Sequence, residues 1–369
     1  MRLRLAPFAI FIAACVPGGG ETQSALRVPP NFPAPRIPED NPLTVAKVEL
    51  GRHLFYDVRL SDNETQSCAS CHRQEFAFTD GLPRGVGSTG EAHPRGSMSL
   101  ANVAYSATLG WANPVLTRLE DQALVPMFGE EPVELGLRDQ ETLLARLRAE
   151  PRYDMLFSDA YPDEEAPTLG QVVDALGSFQ RTLISGNSAY DRYIAGERSA
   201  MSAEALRGLE LFEGEDLECF HCHGGFNFSS SVDHAGNVFD QATFQNNGLY
   251  NVDGRGAYPP DNPGVAEFTN EFVDQGAFKP PTLRNIAVTA PYMHDGSLAT
   301  LNDVIDMYAA GGQLTREGPN TGDGRTNPNK SIFVTGFTLT EEDRAALLAF
   351  LNSLTDERFL SDPRFSNPW

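Results

Sequence analysis

Apolar positions along the chain fall into a few helical stripes separated by long stretches with no period. The first stripe follows Thr44. Val45, Val48, Leu50, Leu54 and Phe55 share one face, so a helix is expected from Val45 to Tyr56, capped by the Thr44 hydroxyl. A second stripe runs from Leu169 to Ile184 through Ala175, Leu176 and Phe179. A third runs from Thr340 to Leu354 through Leu347, Leu348 and Phe350, with Glu341, Glu342 and Asp343 in its first turn. The shorter stretch Thr300–Tyr308 sets Leu301, Val304, Ile305 and Tyr308 on one face, turns Asp303 and Asp306 away and leaves Met307 to the side. Residues 224–280, rich in Gly, Asn, Asp and Pro, have few periodic runs and predict a long structured loop.

The pattern occurs twice. Gly51-x-x-Leu54-Phe55 is echoed by Gly208-x-x-Leu211-Phe212, and each is followed by a cysteine pair, long loops and a closing helix. This predicts a mainly α protein of two similar domains, 43–197 and 198–369, with the boundary near residues 196–202. Residues 15–42, punctuated by Gly and Pro, read as a flexible tether.

The cysteine pairs carry the chemistry. Cys68-Ala69-Ser70-Cys71-His72 and Cys219-Phe220-His221-Cys222-His223 have the spacing of c-type haem attachment. The cysteines form thioethers with the porphyrin, and His72 and His223 become iron ligands on the proximal side. A zinc site or a redox dithiol does not explain a histidine at the same offset twice. Each half is therefore expected to be a cytochrome c-like domain with one covalently bound haem c.

Composition adds bounds. A formal charge of -22 over 369 residues leaves no basic stripe for nucleic acid. Of five cysteines, four are used by the haem motifs, so no disulfide framework is expected. The fifth, Cys15, closes an export-type leader: Arg2 and Arg4, then apolar Leu5 to Phe11, then Ile12-Ala13-Ala14-Cys15, which resembles a bacterial lipobox. Residues 1–14 are expected to be a signal peptide and Cys15 a lipid anchor, placing the protein in the periplasm; an ordinary cleaved signal is the alternative. No other apolar run is long enough to span a bilayer.

What occupies the sixth position of each iron decides function. Beyond the proximal pair the chain offers His53, His93, His221, His234 and His294, with Met293, Met307 and Tyr308 as further donors. Periodicity by itself makes Tyr308 a core residue.

The runs Lys279-Pro280-Pro281-Thr282-Leu283-Arg284-Asn285-Ile286 and Thr289-Ala290-Pro291-Tyr292-Met293-His294-Asp295-Gly296, with Ala77-Phe78-Thr79-Asp80-Gly81, resemble the bacterial dihaem cytochrome c peroxidase and MauG superfamily over nearly all of the mature chain. In that family the second haem's distal ligand lies fourteen residues after the histidine of the Pro-Tyr-x-His segment, which here is Tyr308. The family's peroxidases carry methionine there; tyrosine resembles the MauG branch. Methionine favours ferrous iron, whereas an anionic phenolate stabilises ferric and higher states. The histidine that caps the first haem of many relatives, sixteen residues after the proximal one, is Ser88, so the resemblance implies an open first haem; His93 swinging in is the competing idea. It further implies Trp111 as a relay between the haems, Gln122, Pro126 and Glu134 as the distal pocket, with Glu130 and Glu131 as rivals to Glu134, and a Ca²⁺ held by the carbonyls of Thr289 and Pro291. The family's calcium-binding asparagine aligns with Gly96. Residues 95–102 and 251–258 resemble the MbnH-like branch. That likeness implies a peroxide-dependent oxidoreductase that modifies a side chain, tryptophan, of an MbnP-like partner protein through a high-valent state shared by two haems. The alternatives are a cytochrome c peroxidase fed by a small redox protein and a non-enzymatic electron-transfer cytochrome.

Overall fold

The computed structural model describes residues 25–165, 167–238 and 242–369. It is mainly helical: among the described residues the only sheets are two two-stranded ribbons. The three stripes and the shorter stretch are helices. The lead helix of the first half spans Val45–Phe55, with Thr44 Oγ1 accepting from Lys47 N at 3.2 Å. Its closing helix spans Leu169–Arg181 rather than reaching Ile184, and opens on a reciprocal cap between Thr168 and Gln171. In the second half the lead helix is Ala203–Phe212 and the closing helix is Glu341–Ser353, capped by Ser202 and Thr340. The Leu301–Ala309 helix opens on a Thr300–Asp303 capping box.

Each lead helix crosses its closing helix at a glycine. A Cβ on Gly51 would lie 1.9 Å from the Ala175 carbonyl oxygen, and one on Gly208 would lie 1.9 Å from that of Ala346. The residue four further on, Phe179 or Phe350, packs over the same glycine. The sequence echo is thus a contact: glycine lets two backbones touch, and the following Leu and Phe bury beside them. Leu54, Phe55 and Phe179 centre one core, and Phe212, Leu347 and Phe350 the other.

Helices Leu119–Phe128, Gln140–Ala149, Pro151–Ala160 and Ala189–Ile194 come between the first haem motif and the second half in the chain. None stood out in the hydrophobic pattern. Pro126 lies inside the first of them, and the next two are short and charged. The described residues of the 224–280 stretch carry little regular structure, as expected. Asn246 and Asn251 hold it, with Asn246 donating to Gln275 O at 2.8 Å and Asn251 Oδ1 accepting from Gly256 N at 2.8 Å.

Two buried asparagines join the halves. Asn102 and Asn285 both adopt left-handed backbone, at φ 59° and 62°, just before a 3₁₀ turn. Asn102 exchanges hydrogen bonds with Ser185 and donates to Asn227; Asn285 donates to Ser185 Oγ and accepts from Asp356 N.

The expectation of a flexible tether up to residue 42 needs correction for its described part. Phe32 is buried edge-on against Tyr105 and Phe226, and the Arg284 guanidinium lies 4.5 Å from its ring. Pro33 O accepts from Tyr105 at 2.8 Å, Arg36 pairs with Asp233, and buried Asn41 donates to Glu120. A proline-rich strand makes few bonds to itself, so its carbonyls and rings are available to the surface beneath. The leader and Cys15 lie outside the described residues. No helix among the described residues is long and apolar enough to cross a membrane.

Candidate haem sites

Cys68–Cys71 forms a single helical turn opened by Ser67 and Ser70, and His72 follows as its cap. His72 Nδ1 lies 2.8 Å from Phe78 O. A carbonyl only accepts, so Nδ1 carries the proton and Nε2 keeps its lone pair for a metal. Ala77 and Phe78 take φ values of 52° and 64°, folding the chain back so that this carbonyl meets the ring. The second site repeats the device: His223 Nδ1 sits 3.2 Å from both Phe228 O and Pro281 O, and Phe228 is left-handed at φ 48°. Burial pulls both imidazoles below the usual histidine range, keeping them neutral as ligands must be.

The cysteines separate the rival chemistries. Burial pushes Cys68 and Cys219 up to about 12 and Cys71 and Cys222 up to about 11. A redox dithiol works through a thiol whose pKa is lowered, so these pairs are poor redox centres; as neutral thioethers they bear no such cost.

Cys219, Cys222 and His223 face Tyr308, Trp111 and Met293 across one apolar cavity of about 1310 Å³, its open mouth included. Leu301, Val304, Ile305 and Tyr308 all line it, as the stripe predicted, while Met307 is buried in the adjoining core. Burial pushes the Tyr308 phenol up to about 12, and Asn247 hydrogen-bonds it. A phenol in such surroundings ionises only against a cation, which fits a site built to meet ferric iron. Asn247 also donates to Met293 Sδ at 3.3 Å.

Two more residues of this cavity, both within the runs that carry the resemblance, sit in surroundings that the sequence did not predict. Lys279 is buried, its ammonium bonded to Thr108 O at 2.8 Å, and burial pulls it down to about 8. It borders both this cavity and the cleft between the halves. His294 stacks on Phe278 at 3.7 Å, and its Nε2 is buried without a hydrogen-bond partner among the described residues. A buried cation and an orphaned nitrogen suit a cofactor that brings carboxylates of its own. Nothing in the spacing marks Lys279 for this bond, since its partner lies 171 positions away.

Glu134 is half-buried, and its carboxyl is pushed up to about 6 by burial. Its segment is clamped by Ser88, which donates from N to Glu134 O at 2.7 Å and from Oγ to Leu135 O at 3.2 Å. Gln122 and Pro126 lie one turn apart on the Leu119–Phe128 helix, and Leu135 N bonds Pro126 O at 2.8 Å, joining that helix to the Glu134 segment. Glu130 and Glu131 are exposed. His93 Nε2 lies 3.7 Å from Glu134 Oε1.

Trp111 borders the second site and the cleft between the halves. Its indole donates to Gly96 O at 2.8 Å, and its carbonyl accepts from Lys279 N at 2.8 Å. Thr289, Pro291 and Gly96 line the cleft too, with the buried Asp80 carboxylate. The carbonyls of Thr289 and Pro291 have no hydrogen-bond partner among the described residues, as a hard-oxygen cation site requires. The Gly96 carbonyl, by contrast, is taken by Trp111.

Residues 45–199 match the di-haem cytochrome c peroxidase family. The chain is 34% identical to methylamine utilization protein MauG of Methylorubrum extorquens, covering 91% of this chain and 84% of that protein. It is 33% identical to cytochrome-c peroxidase IdrP1 of Denitromonas iodatirespirans, covering 99% and 96%. Among solved structures it matches a MauG-like protein associated with microbial copper homeostasis at 46% identity and a TM-score of 0.91, over 93% of this chain and 98% of that one. With the paired cysteine-histidine turns and the two unequal sites in place, these likenesses lead to one conclusion: the chain belongs to the dihaem cytochrome c peroxidase and MauG family, and is a dihaem peroxidase-like oxidoreductase.

Proposed function

We propose that this chain is a peroxide-dependent dihaem oxidoreductase of the MauG and MbnH type, which oxidises a tryptophan side chain of a partner protein. The observation that carries the reading is the inequality of the two sites. Tyr308 faces Cys219, Cys222 and His223 in one cavity, whereas the position that would cap the first iron is Ser88, occupied in hydrogen bonds to residues 134 and 135. Haem c at Cys68–Cys71 and Cys219–Cys222, ligated by His72 and by His223 with Tyr308, would supply peroxide reduction and storage of the oxidising equivalents. The chain's own residues do the rest. Glu134 takes the proton from one peroxide oxygen and returns it to the other, with Gln122 orienting the oxidant. Trp111, bordering both the second cavity and the cleft, passes electrons between the sites. Calcium at Thr289 and Pro291 would fix the cleft, and the leader would deliver the protein to the periplasm with Cys15 as its anchor.

A partner too large for either cavity must be oxidised at the surface by electron transfer through the protein. The test gives the haem-loaded chain one equivalent of peroxide and a co-expressed candidate partner. Mass spectrometry should then find an oxidised tryptophan in that partner; an unchanged mass overturns partner modification. One observation favours a second reading, a cytochrome c peroxidase fed by a small redox protein: the Met293 thioether lines the same cavity as Tyr308. A methionine-ligated second haem would give a high potential suited to accepting electrons.

A further inference from the structure

His93 has no part in the chemistry above, yet the loop that carries it is tightly built. His93 N donates to Gly85 O at 2.7 Å, Gly87 N to Glu91 O at 2.8 Å, and Val86 bridges Ala92. The loop lies against the Glu134 segment so closely that a Cβ on Gly87 would come within 1.8 Å of Val133 O. Ser88 then bonds Glu134 O. The imidazole is also oriented. Arg95 N donates to Nδ1 at 3.2 Å, so that nitrogen is an acceptor, and the neutral ring carries its proton on Nε2. Nε2 faces Glu134 Oε1 at 3.7 Å, less than an ångström beyond hydrogen-bond contact.

We propose that His93 is a positioning residue that presents its Nε2–H to Glu134 Oε1, holding that carboxylate ionised and aimed as the proton carrier of the first haem. The proposal rests on the role given to Glu134 above. The charged groups around the pair support it. Arg95, itself held by Glu267 at 2.6 Å and Asn262 at 2.7 Å, opposes a second proton on the ring, while Glu267 favours one. Burial, with Arg95 behind it, pulls His93 below the usual histidine range, so it donates without competing for the proton Glu134 must carry. Glu91 is turned toward Val133 N, and the Cys68 and Cys71 sulfurs, uncharged as thioethers, complete the surroundings of Glu134. Burial pushes the Glu134 carboxyl up to about 6, near neutrality, where one donated hydrogen bond shifts how much carboxylate is present.

The test is an infrared pH titration of the haem-loaded protein, with the Glu134 carboxyl band assigned by its loss in Glu134→Gln. His93→Leu should raise the midpoint by about one unit, leaving up to roughly tenfold less carboxylate at a given pH, and His93→Gln, which keeps a donor, should bring it back. A midpoint unmoved in His93→Leu, or one His93→Gln does not restore, overturns the proposal. So does a change in the first haem's ferric spectrum in His93→Leu, which would make His93 an iron ligand. Failure of the Glu134 role is separately visible: the band would shift as described while the peroxide rate stayed constant.

Discussion

Glu134 occupies a place where its proton is held neither tightly nor loosely. Crowding pushes it up to about 6, so the carboxylate is the minor form below that pH and the major form above. If it accepts the peroxide proton, the rate of the peroxide reaction should rise with pH through about 6 and level off. Glu134→Gln, which keeps the shape and removes the base, should slow that reaction by about 10²–10⁴-fold across the range while leaving haem content unchanged. Stopped-flow mixing with peroxide measures both, and a flat pH profile would exclude Glu134 as the base. At this scale the sequence was readable where chemistry is contiguous. Cys68, Cys71 and His72 need no fold to be recognised, nor do Cys219, Cys222 and His223. The resemblance already preferred Glu134 to Glu130 and Glu131, which lie exposed, whereas the partners of His93 and Lys279 are distant in the chain.

At the scale of elements, the repeated crossing of lead and closing helices explains why glycine stands at 51 and 208. Gly51→Ala or Gly208→Ala would drive a methyl group into a carbonyl oxygen, and each should destabilise the fold by about 1–3 kcal/mol or more. Gly170, near the start of the Leu169–Arg181 helix, is the control: its nearest neighbour is a threonine hydroxyl at 3.9 Å, so Gly170→Ala should stabilise by about 0.5–1 kcal/mol. Urea denaturation of the three variants distinguishes close helix approach from mere helix propensity. The amphipathic stripes announced these helices because one face meets the core and the other water. The Leu119–Phe128 helix was silent for the opposite reason. Pro126 interrupts its ladder, and its buried Glu120 is acceptable because Arg181 pairs with it at 2.7 and 2.9 Å and Asn41 donates to it at 2.6 Å.

Across the whole molecule the N-terminal strand does what its composition concealed. Phe32 sits among Tyr105 from the first half and Phe226 and Arg284 from the second, so this strand and the Asn102 and Asn285 pair tie the halves together. Phe32→Ala should cost about 3 kcal/mol in a thermal or urea melt, and unaltered stability would show that the strand is only draped there. A proline-rich run has no period, so nothing in its pattern distinguished a strap from a tether. The alignment of the halves matters because the account requires two haems that differ in kind. The most direct test is electron paramagnetic resonance of the ferric, haem-loaded protein and its Tyr308→Phe variant. An open first haem beside a Tyr308-ligated second one should give one high-spin and one low-spin signal in the parent, with the low-spin signal alone altered by the substitution; two low-spin haems, or a variant with the parent's spectrum, would rule out this pairing.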